Sequence, residues 1–333
     1  MPRSVTPEVK LVELAYEIQR DPQEWMREIS ATLRKVVPGV IGCFALDVEC
    51  VAERIEIRQV WADNPVVMKE MSALFEHVSN DFLTLFLGHP LQASTTREVF
   101  AEAGIDFAST PVPDLLEAMG VAEQFGVAAT SPSGPGAALG LCLDNCEGPS
   151  PDARIMLAQI GAHLAAGVRL RRGLEGTAVV DQADAILRPD GKLEHATESS
   201  VDARELLSEA VRRVEQARAR GRDALEALEL WRGLVDGKWS LVDDFEGGGR
   251  RYYVAVKNGP EAAKNLALTQ REAQVVAYVA SGTGSKATAY ALGLDVVTVR
   301  SHLRQAMRKL GLRGRAELVS LRATLLAATE GTR

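Results

Sequence analysis

The chain has 333 residues, enough for two or three domains that each bury a core. With 46% hydrophobic and 25% charged residues it has a globular composition. It holds no apolar run of transmembrane length, and its first residues, Met-Pro-Arg-Ser-Val-Thr, lack the apolar core of a secretory signal, so a cytoplasmic protein without membrane contact is expected. The net charge of −7 is unevenly held: residues 264–333 carry eleven Lys or Arg against four Asp or Glu, a local +7, which leaves −14 on residues 1–263. A basic tail on an acidic body is the asymmetry expected of a nucleic-acid-binding module joined to something else.

Helices are expected near residues 7–19 and 22–36, because Thr6 and Asp21 each place a capping oxygen before a proline suited to the first helical turn. Residues 39–47 and 54–62 are strand-like, and the second alternates apolar and polar side chains, so one of its faces should be wet. Helical spacing returns over 65–87 through Met68, Met71, Leu74, Phe75 and Val78. The pattern weakens over 91–113, which is expected to be mostly loop. Residues 123–130 and 137–144 read as paired strands around Ser131-Pro-Ser-Gly-Pro-Gly136, and a long helix over about 151–174 closes the unit. This order of elements over residues 1–175 resembles a GAF-like α/β sensor domain.

In residues 176–259, strands at 183–187 and 192–196 flank Arg188-Pro-Asp-Gly191, whose Pro-Asp-Gly supplies a tight turn. A helix over 202–219 follows, then strands at 238–245 and 250–257 joined by Glu246-Gly-Gly-Gly249. The order resembles a reduced PAS-like α/β domain. Residues 171–176 and 258–261 are the expected linkers.

The C-terminal stretch, residues 260–333, is all helical in pattern. Thr269 and Glu272 form a capping box at the start of a segment that Gly282 ends. Residues 286–292 make a short second helix, and Gly293-Leu294 turns the chain into a third over 296–310, opened by Asp295 and closed by Gly311. Its apolar residues Val299, Leu303, Ala306 and Leu310 recur at i, i+4, i+7 and i+11, one stripe at helical period. Val297, Arg300, Ser301, Arg304 and Arg308 lie away from it. Two short helices joined by a tight turn, the second cationic and amphipathic, are a helix-turn-helix pattern.

Leu268-Thr-x-Arg-Glu, Gly282, Lys286, Ala289, Leu292, Thr298-Val-Arg-x-His-Leu303, Lys309-Leu-Gly311 and Arg315-x-Glu-Leu-Val319 stand in the order and spacing of the LuxR/GerE-type helix-turn-helix domain, which this stretch resembles over about residues 264–328. Where that family usually has Ser-Asn-Lys-Glu-Ile-Ala, this chain has Gly284-Ser-Lys-Ala-Thr-Ala289, and Asp295 stands in place of its usual Ser. The resemblance implies a transcription regulator that binds double-stranded DNA and pairs as a homodimer through the helix at 315–328. The expected fold class is therefore α+β multidomain: GAF-like sensor, PAS-like domain, all-α LuxR-type domain.

Lys286 and Thr298 are the expected phosphate contacts, since Lys and a helix N-terminus suit backbone oxygens. Arg300 and Arg304 are the candidates for guanine edges, because a guanidinium fork can donate to O6 and N7 together. Val297, Ser301 and Arg308 share the outward face, and His302 either packs at the core edge or touches a phosphate. The competing reading of such a helix is a solvated charged face. A small-molecule or a protein signal could act on the N-terminal half. No GxSxG elbow, phosphate-cradling loop or metal-ligand spacing is found, so neither catalytic residues nor a metal or cofactor is expected. If the first and last expected sheet strands are neighbours, Cys43 and Cys142 could meet as a redox pair or share a metal, and the former would suit a cysteine-using redox enzyme; buried free cysteine is the commoner state.

Overall fold

The computed structural model describes residues 5–319 except 18, 52–53, 89–91, 131–133, 174–182, 220–223, 232–234, 236–238, 246–250, 258–268, 310–311 and 313. Helices α1 (Pro7–Ala15) and α2 (Pro22–Leu33) start where expected, with Thr6 accepting from Val9 N and Asp21 from Gln23 N and Glu24 N. Then come β1 (Val40–Val51), β2 (Arg54–Ala62), α3 (Pro65–His77), α4 (Asn80–Leu87), β3 (Gln92–Thr95), α5 (Thr96–Glu102) and α6 (Val112–Met119). β4 (Glu123–Ala129), β5 (Gly134–Leu143) and the 23-residue α7 (Pro151–Gly173) complete the unit.

The five strands form one antiparallel sheet in the order β2-β1-β5-β4-β3. Residues of one parity, among them Cys43, Ala45, Leu139 and Leu141, pack against α1, α2 and α7; those of the other, among them Phe44, Leu46, Ala138 and Cys142, pack under α3 to α6. The edge strand β2 alternates as expected only over its first residues, where buried Ile55 stands between exposed Arg54 and Glu56; a register shift against β1 between Asp47 and Val48 then breaks the pattern, so that Trp61 packs on the α1–α2 side while Ile55 and Ala62 pack on the other.

Three sequence expectations are corrected. Residues 65–87 break into two helices, because Ser79 caps a new one by accepting from Phe82 N. Residues 91–113 hold an edge strand and two helix starts: β3 pairs with β4 from Gln92↔Ala128 to Thr95↔Phe125, and α5 opens on a capping box formed by Thr95 and Glu98. Arg171 and Arg172, expected in a linker, belong to α7: Arg171 donates to Arg20 O and lies over the Trp25 ring, while Arg172 grips Asp47, Glu49 and the Val48 carbonyl on β1.

The second sheet runs β7-β6-β9-β8 and is also antiparallel. It comprises β6 (Ala185–Leu187), β7 (Leu193–Ala196), β8 (Trp239–Phe245) and β9 (Arg251–Lys257), with α8 (Glu198–Val201), α9 (Arg204–Ala219) and α10 (Ala224–Leu230) between β7 and β8. The turn at 188–191 forms as expected, Gly191 taking φ 80° and donating to Arg188 O. The face of this sheet that carries Ala185, Leu187, Tyr253 and Ala255 joins Leu207 of α9 and Trp231 in the core that also holds α1 and α7. Three helices follow: α11 (Gln270–Ala280), α12 (Ser285–Leu292) and α13 (Val296–Lys309). The chain is thus mixed α+β, with both sheets in its N-terminal part and, among the described residues, helices alone at its C-terminal end. Leu268, Leu310, Gly311, the turn at 246–249, the linker at 258–261 and most of the helix expected at 315–328 lie outside the described residues. Among the described residues no helix is long and apolar enough to cross a membrane.

Candidate nucleic-acid interface

The three C-terminal helices fold around a small core of their own: Val275, Tyr278 and Val279 from α11, Ala289 and Leu292 from α12, and Val299 from α13, closed by Leu294 and Leu318. The local signals behave as the sequence implies. Glu272 N donates to Thr269 Oγ1 at 3.3 Å while Glu272 Oε2 accepts from Thr269 N at 2.7 Å. Gly293 ends α12 at φ 64°, a left-handed conformation that only a residue without Cβ adopts at no cost, and this bend swings the chain directly into α13. Val299 N bonds to Asp295 O and so starts α13 at the expected place.

On α13 Val299 and Ala306 are fully buried and Leu303 is half-buried, so the apolar stripe is the packed side. Val297 is 76% exposed, and Arg300, Arg304 and Arg308 are exposed on the other side. Thr298, Ser301 and His302 are half-buried at the margins, and Lys286 is exposed on the first turn of α12. Among the described residues Arg300, Arg304 and Arg308 make no ion pair or hydrogen bond, an arrangement that leaves three guanidinium forks facing solvent.

One residue has a role that the sequence pattern did not reveal. Arg315 was expected only as the start of the next helix; its Nη2 donates to Thr283 O at 2.7 Å and Gly282 O at 3.2 Å, fastening the turn between α11 and α12. It therefore positions the helix-turn-helix from outside it.

Residues 266–322 match the model of the bacterial regulatory proteins, luxR family. The C-terminal domain is of the LuxR type. A LuxR-type domain supports a DNA-binding transcription regulator. Among solved structures the chain is similar to Escherichia coli SdiA at 12% identity and a TM-score of 0.34, covering 95% of either chain. A second structure, SdiA in complex with octanoyl-rac-glycerol, is similar at 11% identity and 0.34, over 93% of this chain and 91% of that one. No curated protein matches the chain.

The N-terminal half holds an apolar recess. Between the Phe44, Leu46 and Ala138 side of the sheet and helices α3, α4 and α6 lies a narrow slot of about 90 Å³. Phe44 can lie across the sheet there because Gly140 offers no Cβ to meet its ring. Its walls are apolar and aromatic, its polar groups are Gln124, Ser94 and Thr96, and no described lining residue is charged. The Gln124 amide nitrogen faces only sulfur within this set, Met71 Sδ at 3.5 Å and Met119 Sδ at 4.0 Å, and sulfur is a weak acceptor.

The cysteine pairing is overturned by the register. β1 and β5 are indeed neighbours, but Gly42 stands opposite Cys142 and Cys43 opposite Leu141, and successive side chains alternate faces. Cys43 therefore points into the layer of α1, α2 and α7, beside Ser30 of α2, and Cys142 into the opposite layer. Burial pushes the Cys142 thiol up to about 12 and the Cys43 thiol well above its ordinary value, which keeps both protonated and unreactive. No group of three metal-ligating side chains occurs among the described residues.

Proposed function

We propose that this protein is a homodimeric transcription regulator that reads double-stranded DNA through α13, under control of the sensory half formed by the GAF-like and PAS-like regions. The observation that carries this reading is the division of α13: Val299 and Ala306 buried, Arg300, Arg304 and Arg308 exposed and without partners among the described residues. Arg300 and Arg304 are assigned to base edges in the major groove, Lys286, Thr298 and Arg308 to phosphates, with Val297, Ser301 and His302 shaping the contact. The signal is a neutral, largely apolar small molecule held in the slot under α3, α4 and α6, where Gln124 supplies the one amide able to orient it.

The test is titration of the full chain with duplex DNA at several salt concentrations. Displacement of counterions by Lys286 and the three arginines makes affinity fall steeply as salt rises. Binding that ignores salt would remove the reading.

A further inference from the structure

On the first turn of α13 two consecutive valines part company. Val296 is half-buried and packs against the core of the three C-terminal helices, whereas Val297 belongs to none of the apolar clusters among the described residues and is 76% exposed. It is the most exposed of the large apolar side chains described; the next, Val201, stands at 55%. Helical spacing carries the same face on from Val297 to Arg300 and Ser301, then to Arg304 and Arg308. An uncharged, branched side chain thus heads a face that is otherwise cationic or hydroxylic.

Nothing in the folding of the domain requires this. A valine left in water gains nothing from burial, and its branched Cβ makes it a poorer helix former than the Lys, Glu or Ala that suit a solvated face. A single exposed apolar side chain is ordinary on a protein surface, but this one stands where the N-terminal residues of a helix laid in the major groove meet base edges. Valine has no donor and no acceptor. Of the groups that base pairs display in that groove, the apolar substituent is the 5-methyl of thymine; the others are oxygens, ring nitrogens and amines. Contact with that methyl withdraws apolar surface from water on both sides. Set over a cytosine amine or a guanine oxygen, the same isopropyl group would strip a polar atom of its water and return no hydrogen bond.

We propose that Val297 is a specificity-determining residue of the DNA site and reads the 5-methyl group of a thymine in the major groove. The inference rests on the DNA-binding reading above and deepens it with a base that the arginines of α13 do not select. Arg300 lies three residues further along the helix, a rise of about 4.5 Å, so the thymine falls about one or two base pairs from the base edge assigned to Arg300. What is recognised is the methyl, and 5-methylcytosine in the same place presents it too.

The experiment starts by selecting a preferred duplex from a random pool with the full wild-type chain. Each thymine of that duplex is then replaced in turn by deoxyuridine, which lacks only the methyl, and affinity is measured for wild type and for Val297→Ala. Wild type should lose about fourfold at one thymine in each half-site, the worth of burying about one methyl, and Val297→Ala should lose nothing there. At that position wild type should also bind 5-methylcytosine about fourfold more tightly than cytosine. The exposed Val297 side chain packs nothing, so Val297→Ala keeps its fold and the comparison reads the contact alone. Deoxyuridine tolerated by wild type at every thymine, equal losses in wild type and Val297→Ala, no gain from 5-methylcytosine over cytosine, or duplex binding without any sequence preference each overturns the thymine assignment while leaving DNA binding in place. Failure of the full chain to bind any duplex overturns both.

Discussion

In the N-terminal half Arg154, Arg172 and Arg218 all close on carboxylates: Arg154 on Glu98 at 2.7 Å, Arg172 on Asp47 and Glu49, and Arg218 on Glu13 at 2.9 Å, Glu215 and Asp243. On α13 Arg300, Arg304 and Arg308 meet no carboxylate among the described residues. The first group holds elements together: Arg172 fastens the end of α7 to β1, and Arg218 joins α1, α9 and β8. The second group leaves its charge to solvent, which no folding argument requires. Identical side chains thus separate into framework and interface by whether an acid stands opposite, a distinction that net charge blurs and geometry restores.

The largest effect that would sharpen this contrast is at Arg218, whose side chain is 7% exposed and lies over the Trp231 ring at 4.6 Å. Arg218→Ala strands Asp243 and part of Glu13 without their cation, and removing one partner of a buried pair typically costs about 3–5 kcal/mol. Urea denaturation reads it directly. A loss below about 1 kcal/mol would put Arg218 with the exposed arginines.

Next comes Arg304→Ala, for which the comparison requires the reverse. Stability should stay within about 0.5 kcal/mol, because the side chain packs nothing. Affinity for a selected site should fall by about 1–3 kcal/mol with relaxed preference at one base, whereas Lys286→Ala should weaken all sequences similarly. Equal losses by both variants on selected and random DNA would show that α13 reads no base through Arg304.

A third test leaves both arginine groups aside and concerns His163, fully buried between the hydroxyls of Tyr16 and Tyr290. Burial holds the His163 imidazole down at about 3, against about 6.5 in the unfolded chain, so it stays neutral in the native state. Below pH about 6.5 the unfolded chain binds a proton that the native one refuses. Stability is therefore fully present above that value and falls, by up to about 1.4 kcal/mol per pH unit, down toward pH 3. His163→Phe should flatten this part of the profile in stability-against-pH measurements; an unchanged slope between pH 6.5 and 5 would place its source in other groups.

What could be read in the sequence was local. The first residues of β2, the Pro-Asp-Gly turn at 189–191, the capping box at Thr269 and the stripe of α13 are each set within a dozen residues, where periodicity and turn chemistry act; the second half of β2 was not, because its register shift depends on β1. β3 was missed because four residues make no pattern, and its partner β4 lies beyond two further helices. The Tyr290–His163 contact spans 127 residues, and nothing in either neighbourhood hints at the other. Arg315 was visible as part of a spacing pattern, yet its work on the Gly282 and Thr283 carbonyls depends on a bend that only the folded domain makes.

The smallest effect compares one device used in both regions. Thr95 and Glu98 open α5 with bonds of 3.2 and 2.8 Å, and Thr269 and Glu272 open α11 with 3.3 and 2.7 Å, so the two capping boxes are nearly superposable in chemistry. Loss of a capping Thr to Ala generally costs about 1 kcal/mol. Their surroundings differ: Thr95 is buried and Glu98 is also held by Arg154, whereas Thr269 is exposed. Thr95→Ala should therefore be the costlier of the two in chemical denaturation, since Arg154 and Glu98 would have to rearrange with it, and it should leave DNA affinity as it was. Thr269→Ala should cost less in global stability but loosen the first turn of α11, the helix on which α13 packs, and so raise amide exchange there and weaken DNA binding slightly. Equal costs in the two regions, with no change in exchange at α11, would mean that the cap contributes only its local bonds and that the packing around it does not amplify them.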